Sequence, residues 1–147
     1  MSAKKADKAV SVEFGIQNIE ILEKSFRVTQ LVENKVPETQ YELSFEIRVD
    51  ESNKFIIDML HVKIKTTHDD FVVGSLSISC TFSITNFPEV VKKNSQNTMT
   101  IPDLLIETLN IITIGTARGI IFNELKGTWL HKSILPIIDP KSFKPKK

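Results

Sequence analysis

Apolar and polar residues alternate with a period of two through the first half of the chain. Val12, Phe14 and Ile16 are interleaved with Glu13, Gly15 and Gln17, which sorts the two sets onto opposite faces of a β-strand. Ile19 and Ile21 fall on the other parity, so a bulge or kink near Asn18 is needed to bring them to the same face. A strand is predicted over 12–21, with its segment ending near Phe26. Residues 34–40 contain Pro37 and read as a loop. Tyr41, Leu43, Phe45, Ile47 and Val49 then alternate with Glu42, Ser44, Glu46, Arg48 and Asp50, the cleanest amphipathic strand in the chain. Asp50-Glu51-Ser52-Asn53 predicts a turn. A third strand follows over 55–65, with Leu60, Val62 and Ile64 on one face and Phe55, Ile57 and Met59 on the other. After a turn over 66–70, a fourth strand over 71–85 sets Leu76, Ile78, Cys80, Phe82 and Ile84 against Ser75, Ser77, Ser79, Thr81 and Ser83.

Strands joined by short polar connections predict an antiparallel meander. Nothing in this stretch offers a crossover helix, which argues against a parallel doubly wound sheet. After Asn86 the period changes. Residues 92–97 form a polar loop, and Thr100-Ile101-Pro102-Asp103 predicts a helix start, with Thr100 as cap, proline in the first turn and aspartate reaching back to a free amide. Ile101, Leu104, Leu105, Thr108, Ile111, Ile112, Gly115, Gly119 and Phe122 share a helical stripe. Leu109, Ile114, Ile120 and Ile121 widen it nearly all round, and Gly127 ends it. The fold class is α+β, a four-stranded antiparallel β-meander followed by one long C-terminal helix packed on the sheet.

One helix on one sheet leaves its far side wet. The excess of apolar surface therefore predicts an oligomer whose helices pack between sheets. The candidate contacts are Ile111, Gly115, Arg118, Gly119 and Phe122, the two glycines allowing another backbone to approach closely.

The chain has 147 residues, which suits a single domain: a tail over 1–10, a domain over 11–143, and a short basic tail over 144–147. With 19 Lys and Arg against 18 Asp and Glu, the net charge of +1 gives no argument for nucleic acid or an anionic membrane. A single cysteine, Cys80, permits no internal disulfide and fits a reducing, cytoplasmic setting. The first residues carry charges but no apolar stretch of the secretory type. The apolar run over 101–122 is interrupted by Asp103, Glu107 and Arg118, so it reads as a buried helix and not as a membrane insertion.

Catalytic chemistry finds little support. His61, His68 and His131 are scattered without a second ligand at metal spacing, and no metal or cofactor is expected. Cys80 alternates with core residues and reads as a small buried hydrophobe. His68-Asp69-Asp70 falls where a hairpin turn is expected. The reading is a binding protein and not an enzyme.

The order of elements, together with Thr116-Ala117-Arg118-Gly119-Ile120-Ile121-Phe122, Gly127-Thr128-Trp129-Leu130, Leu135-Pro136-Ile137-Ile138-Asp139-Pro140 and Phe143, resembles the SecB-like protein-export chaperone family. The resemblance spans about residues 12–143. It implies an ATP-independent holdase for unfolded or precursor polypeptides, a homotetramer built as a dimer of dimers, and the SecA motor as a partner. Typical family members are acidic and carry a further helix and tail after the Pro-Phe region. Here the charge is near neutral and Lys141, Lys144, Lys146 and Lys147 are basic. A client other than export precursors, such as an antitoxin or the product of a mobile element, is therefore an alternative, as an adaptor with one dedicated partner. A carrier of a small hydrophobic ligand is a further alternative. Candidate client-binding residues are the apolar groups that the core does not obviously claim: Phe55, Ile57, Met59, Phe71, Val73, Trp129, Leu130, Ile134 and Leu135.

Overall fold

The computed structural model describes residues 12–27, 38–67 and 71–139. The chain forms β1 (Phe14–Phe26), β2 (Thr39–Asp50), β3 (Phe55–Thr66) and β4 (Val72–Ile84). A short helix α1 (Phe87–Val90), two-residue strands β5 (Lys92–Lys93) and β6 (Met99–Thr100), the long helix α2 (Asp103–Glu124) and a 3-10 turn over Trp129–Lys132 follow. The tails expected over 1–10 and 144–147, Pro37, His68 and Phe143 lie outside the described residues.

The sheet is antiparallel and four-stranded, and α2 packs on one face of it, as the alternation and the apolar helix predict. Its order is β1-β4-β3-β2. Only β2, β3 and β4 form a meander; β1 pairs with β4, a Greek-key-like order. The tight connections after β2 and β3 force hairpins, and β1 and β2 lie at opposite edges of the sheet.

Register explains which face is core. Leu60 lies opposite Ile78 and Phe45, and Ile56 opposite Phe82 and Val49, so one apolar row runs across three strands. The β3 and β4 members are fully buried beneath α2, which contributes Leu105, Leu109, Ile114, Ala117 and Ile121. The β2 members Tyr41, Leu43, Phe45, Ile47 and Val49 are half-buried at an edge. In β1 the register shifts between Ile16 and Asn18 and again between Ile21 and Glu23. The first shift is the bulge that the parity change demanded, and it sets Ile16, Ile19 and Ile21 opposite Phe82, Cys80 and Ile78.

The start of α2 differs from the sequence reading. Thr100 does not cap it; Thr100 pairs with Lys92 in the β5–β6 hairpin, and Pro102 precedes the first helical residue, Asp103, with no side-chain cap bond. The 92–97 loop is therefore part of a hairpin. The helix ends at Glu124, and Gly127, at φ +81°, makes the left-handed turn that follows. By length and composition α2 is apolar enough to cross a membrane. In this fold its inner face is buried against β3 and β4 and carries the polar Asn110 and Thr113.

Candidate functional site

The helix α2 has more apolar faces than the sheet beneath it has room for. Leu104 is 75% exposed, and Ile111 and Phe122 are about half exposed. Leu104, Thr108, Ile111, Gly115, Gly119 and Phe122 recur every three or four residues, so they share one side of the helix. A Cβ added at Gly115 or Gly119 would meet nothing within 4 Å. The protomer makes no use of this notch. Four of the five residues expected at a helix interface, Ile111, Gly115, Gly119 and Phe122, therefore stand together on an outward stripe. The Phe122 ring also touches that of His131, with centroids 5.4 Å apart.

Arg118 departs from that expectation. Its Nε donates to the Leu135 carbonyl at 2.8 Å and its Nη2 to the Pro136 carbonyl at 2.9 Å. The guanidinium fork is spent inside the protomer, pinning the extended segment after the 3-10 turn. The same segment is held at the β2 side, where the Tyr41 hydroxyl donates to the Ser133 carbonyl at 2.6 Å and Thr39 Oγ1 lies 2.6 Å from Ser133 Oγ. Burial pushes the Tyr41 phenol above its ordinary value, offset in part by the bond to Ser133.

These ties decide which expected client-binding residues reach the surface. Leu130 and Leu135 are buried in the core, because the clamped segment turns them inward. Val73 is buried as well: Ile64 pairs with Gly74 but Lys65 with Val72, and this one-residue shift takes Val73 off the outward parity. These three are removed from the candidate surface. Ile134 is 55% exposed and Phe71 47% exposed, and Trp129 is half-buried against the core. Phe55, Ile57 and Met59 form a half-buried ridge on the outer face of the sheet, opposite Ser83, Thr81 and Ser79 on β4 and Asp50, Arg48 and Glu46 on β2. The ridge lies on the face away from α2. Phe71 sits at the other end of the strands, where its carbonyl accepts from Thr66 N.

Sequence reasoning missed a second group. Ile16, Ile19, Ile21 and Leu22 are each about half exposed along β1. The face of Ile16, Ile19 and Ile21 is the one expected, but α2 lies over β3 and β4 and not over the edge strand. Ile137, at 95%, is the most exposed large hydrophobe among the described residues. The only sequence signal for either was the general surplus of apolar residues over what one helix can cover.

Among the described residues, reactive chemistry does not converge. Among the described residues, no group of three His, Cys, Asp or Glu is placed to hold a metal. His61 Nδ1 lies 2.7 Å from Ser77 Oγ on the outer face. Cys80 is buried, and burial pushes its thiol upward. A half-open apolar cavity of about 520 Å³, lined by Val12, Phe14, Val90, Leu104, Leu105 and Thr108, lies between the start of β1 and the start of α2.

Among solved structures, the fold is similar to a SecB-like chaperone from Mycobacterium tuberculosis in complex with a ChAD peptide from the HigA1 antitoxin. The TM-score is 0.54 at 9% identity, covering 84% of this chain and 83% of that one. A protein of unknown function from Streptococcus agalactiae matches at TM-score 0.32 and 19% identity over 80% of this chain and 94% of that one. No family model matches the sequence, and a comparison with curated proteins finds no significant match. The shared property is the fold.

Proposed function

We propose that this chain is an ATP-independent holdase of the SecB type, which binds non-native polypeptide through exposed apolar surface. The observation that carries the reading is the distribution of that surface. Large apolar side chains stand exposed on β1 and on the segment that carries Ile134 and Ile137, and among the described residues no cluster of metal-holding groups accompanies them. A fold shared with a SecB-like chaperone supports it. Burial of apolar surface yields about 25 cal/mol per Å² before ordering costs. Contacts of this kind are non-directional, and several weak sites on one flexible client reinforce one another. The client surface in this reading comprises Phe55, Ile57, Met59, Phe71, Trp129 and Ile134, with Ile16, Ile19, Ile21 and Ile137 added.

The outward stripe of α2 is assigned to a second copy of the chain, within a tetramer built as a dimer of dimers. Two antiparallel copies of α2 crossing at the glycine notch set Gly115 against Gly119 of the other and Ile111 against Phe122, so the stripe is self-complementary. Export precursors in the cytoplasm, handed on to SecA, are the clients that the SecB comparison suggests. A second reading, one dedicated partner such as an antitoxin, is favoured by the near-neutral charge and by the antitoxin peptide on the similar chaperone.

The test is the affinity of the purified chain for a labelled, permanently unfolded polypeptide against the same polypeptide folded, read by fluorescence anisotropy without nucleotide. Binding to several unfolded sequences and not to their folded forms supports the holdase. Binding to one folded partner alone selects the dedicated reading.

A further inference from the structure

Asp58 sits on the inner face of β3 with no exposure, between Ile47 on β2 and Cys80 on β4. Above it, the Thr113 hydroxyl is placed to donate either to Asp58 Oδ2 at 3.0 Å or to the Leu109 carbonyl at 2.9 Å. A hydroxyl has one proton and serves one acceptor fully. Thr108 and Thr116 on the same helix each donate to the carbonyl four residues back, at 2.8 and 2.9 Å. If Thr113 does likewise, its lone pair faces Asp58, and two oxygens at that distance need a proton between them. A neutral carboxylic acid supplies it. The other oxygen, Asp58 Oδ1, is buried with no hydrogen-bond partner, a position that suits the carbonyl oxygen of an acid far better than half of a charge.

Among the described residues no lysine or arginine pairs with Asp58. The titratable group beside it is the Cys80 thiol, which burial and the Asp58 charge both push upward, while α2 presents Thr113 and Thr116 and β2 presents Ile47.

We propose that Asp58 is built into the α2–sheet interface as a neutral acid donating to Thr113, and that its ionisation with rising pH weakens the docking of α2. Burial pushes the carboxyl from its ordinary 3.8 up to about 7, offset in part by the hydrogen bond with Thr113. The folded pKa is above the unfolded one, so the folded state holds the proton longer. Stability is full below about pH 4, falls as pH rises toward about 7, and is level beyond. Glu42 and Asp50 are held below their ordinary values by Lys65 and Asn53, so they act at lower pH and in the opposite direction.

The experiment compares urea unfolding of the full chain with that of Asp58→Asn across this window. In the wild type the folding constant drops by up to about tenfold per pH unit. In the variant that fall is absent, while the contribution of Glu42 and Asp50 remains. Amide exchange, corrected for its intrinsic pH dependence, should show residues 109–117 of α2 losing protection ahead of β3 and β4. Infrared spectra of wild type carrying carbon-13-labelled aspartate, at about pH 6 where ordinary aspartates are ionised, should contain a labelled protonated-carboxyl band, a readout that stands even if Asp58→Asn does not fold. Parallel stability profiles or a missing band would overturn the neutral acid. Equal loss of protection in helix and strands would overturn the weakened docking of α2.

Discussion

Arg118, in the middle of α2, donates to the backbone carbonyl of Leu135 at 2.8 Å. A second bond to Pro136 completes the fork, and the two tie the helix to the segment that carries Ile134 and Ile137 outward and Leu135 inward. Hydrogen bonds from a charged donor contribute about 1.5–3 kcal/mol. Arg118→Ala is therefore expected to lower unfolding free energy by about 2 kcal/mol and to expose residues 133–139 to limited proteolysis. Arg118→Lys should recover less than half, since an ammonium is a point donor and not a planar fork. Unchanged cleavage of the segment in Arg118→Ala would refute the clamp.

Gly115 and Gly119 separate helix stability from assembly. Alanine at either meets nothing within the chain and removes a helix-interior glycine, so each substitution should stabilise the isolated protomer by about 0.5–1 kcal/mol. The same methyl groups obstruct close approach of a second helix. The double alanine variant should raise the melting temperature at dilute concentration and shift sedimentation toward the protomer. A variant that assembles as strongly as the parent places the interface elsewhere.

Gly74 has the opposite environment. A Cβ there would lie 2.6 Å from Phe26 Cδ1 and 3.5 Å from Ile64 Cδ1. Gly74→Ala should cost about 1–3 kcal/mol by overpacking. Its cost should shrink in a Phe26→Ala background, a non-additivity that a double-mutant cycle reads directly. Strict additivity would mean the two residues do not share this space.

Core and surface leucine-like residues should part company in the last segment. Leu130 is fully buried, so Leu130→Ala should cost about 2–5 kcal/mol in urea unfolding. Ile134→Ser with Ile137→Ser should leave the melting curve nearly unchanged while weakening the binding of unfolded polypeptide. Loss of stability in the serine pair would show that the segment is packed and not presented.

The alternation along β2, β3 and β4 was sufficient to place the strands, and the parity change at Ile19 located a real bulge. Strand order was not legible, because β1 finds β4 through long-range pairing that no local pattern encodes. Parity also failed at Val73, where a register shift of one residue reverses the face. Leu130 and Leu135 look available beside Pro136, yet their burial depends on Arg118 and Tyr41, which are distant in sequence. The notch at Gly115 and Gly119 was legible as spacing. The exposure of Ile16, Ile19 and Ile21 was not, since it depends on where a single helix comes to rest on a sheet of four strands.

Whether this exposed apolar surface holds non-native chains is read by light scattering of a chemically denatured client, diluted into buffer with increasing amounts of this protein and no nucleotide. Aggregation should be suppressed in proportion to the protein added, for several unrelated clients, and ATP should make no difference. Aggregation that proceeds unchanged at several-fold excess, client after client, would contradict the holdase reading.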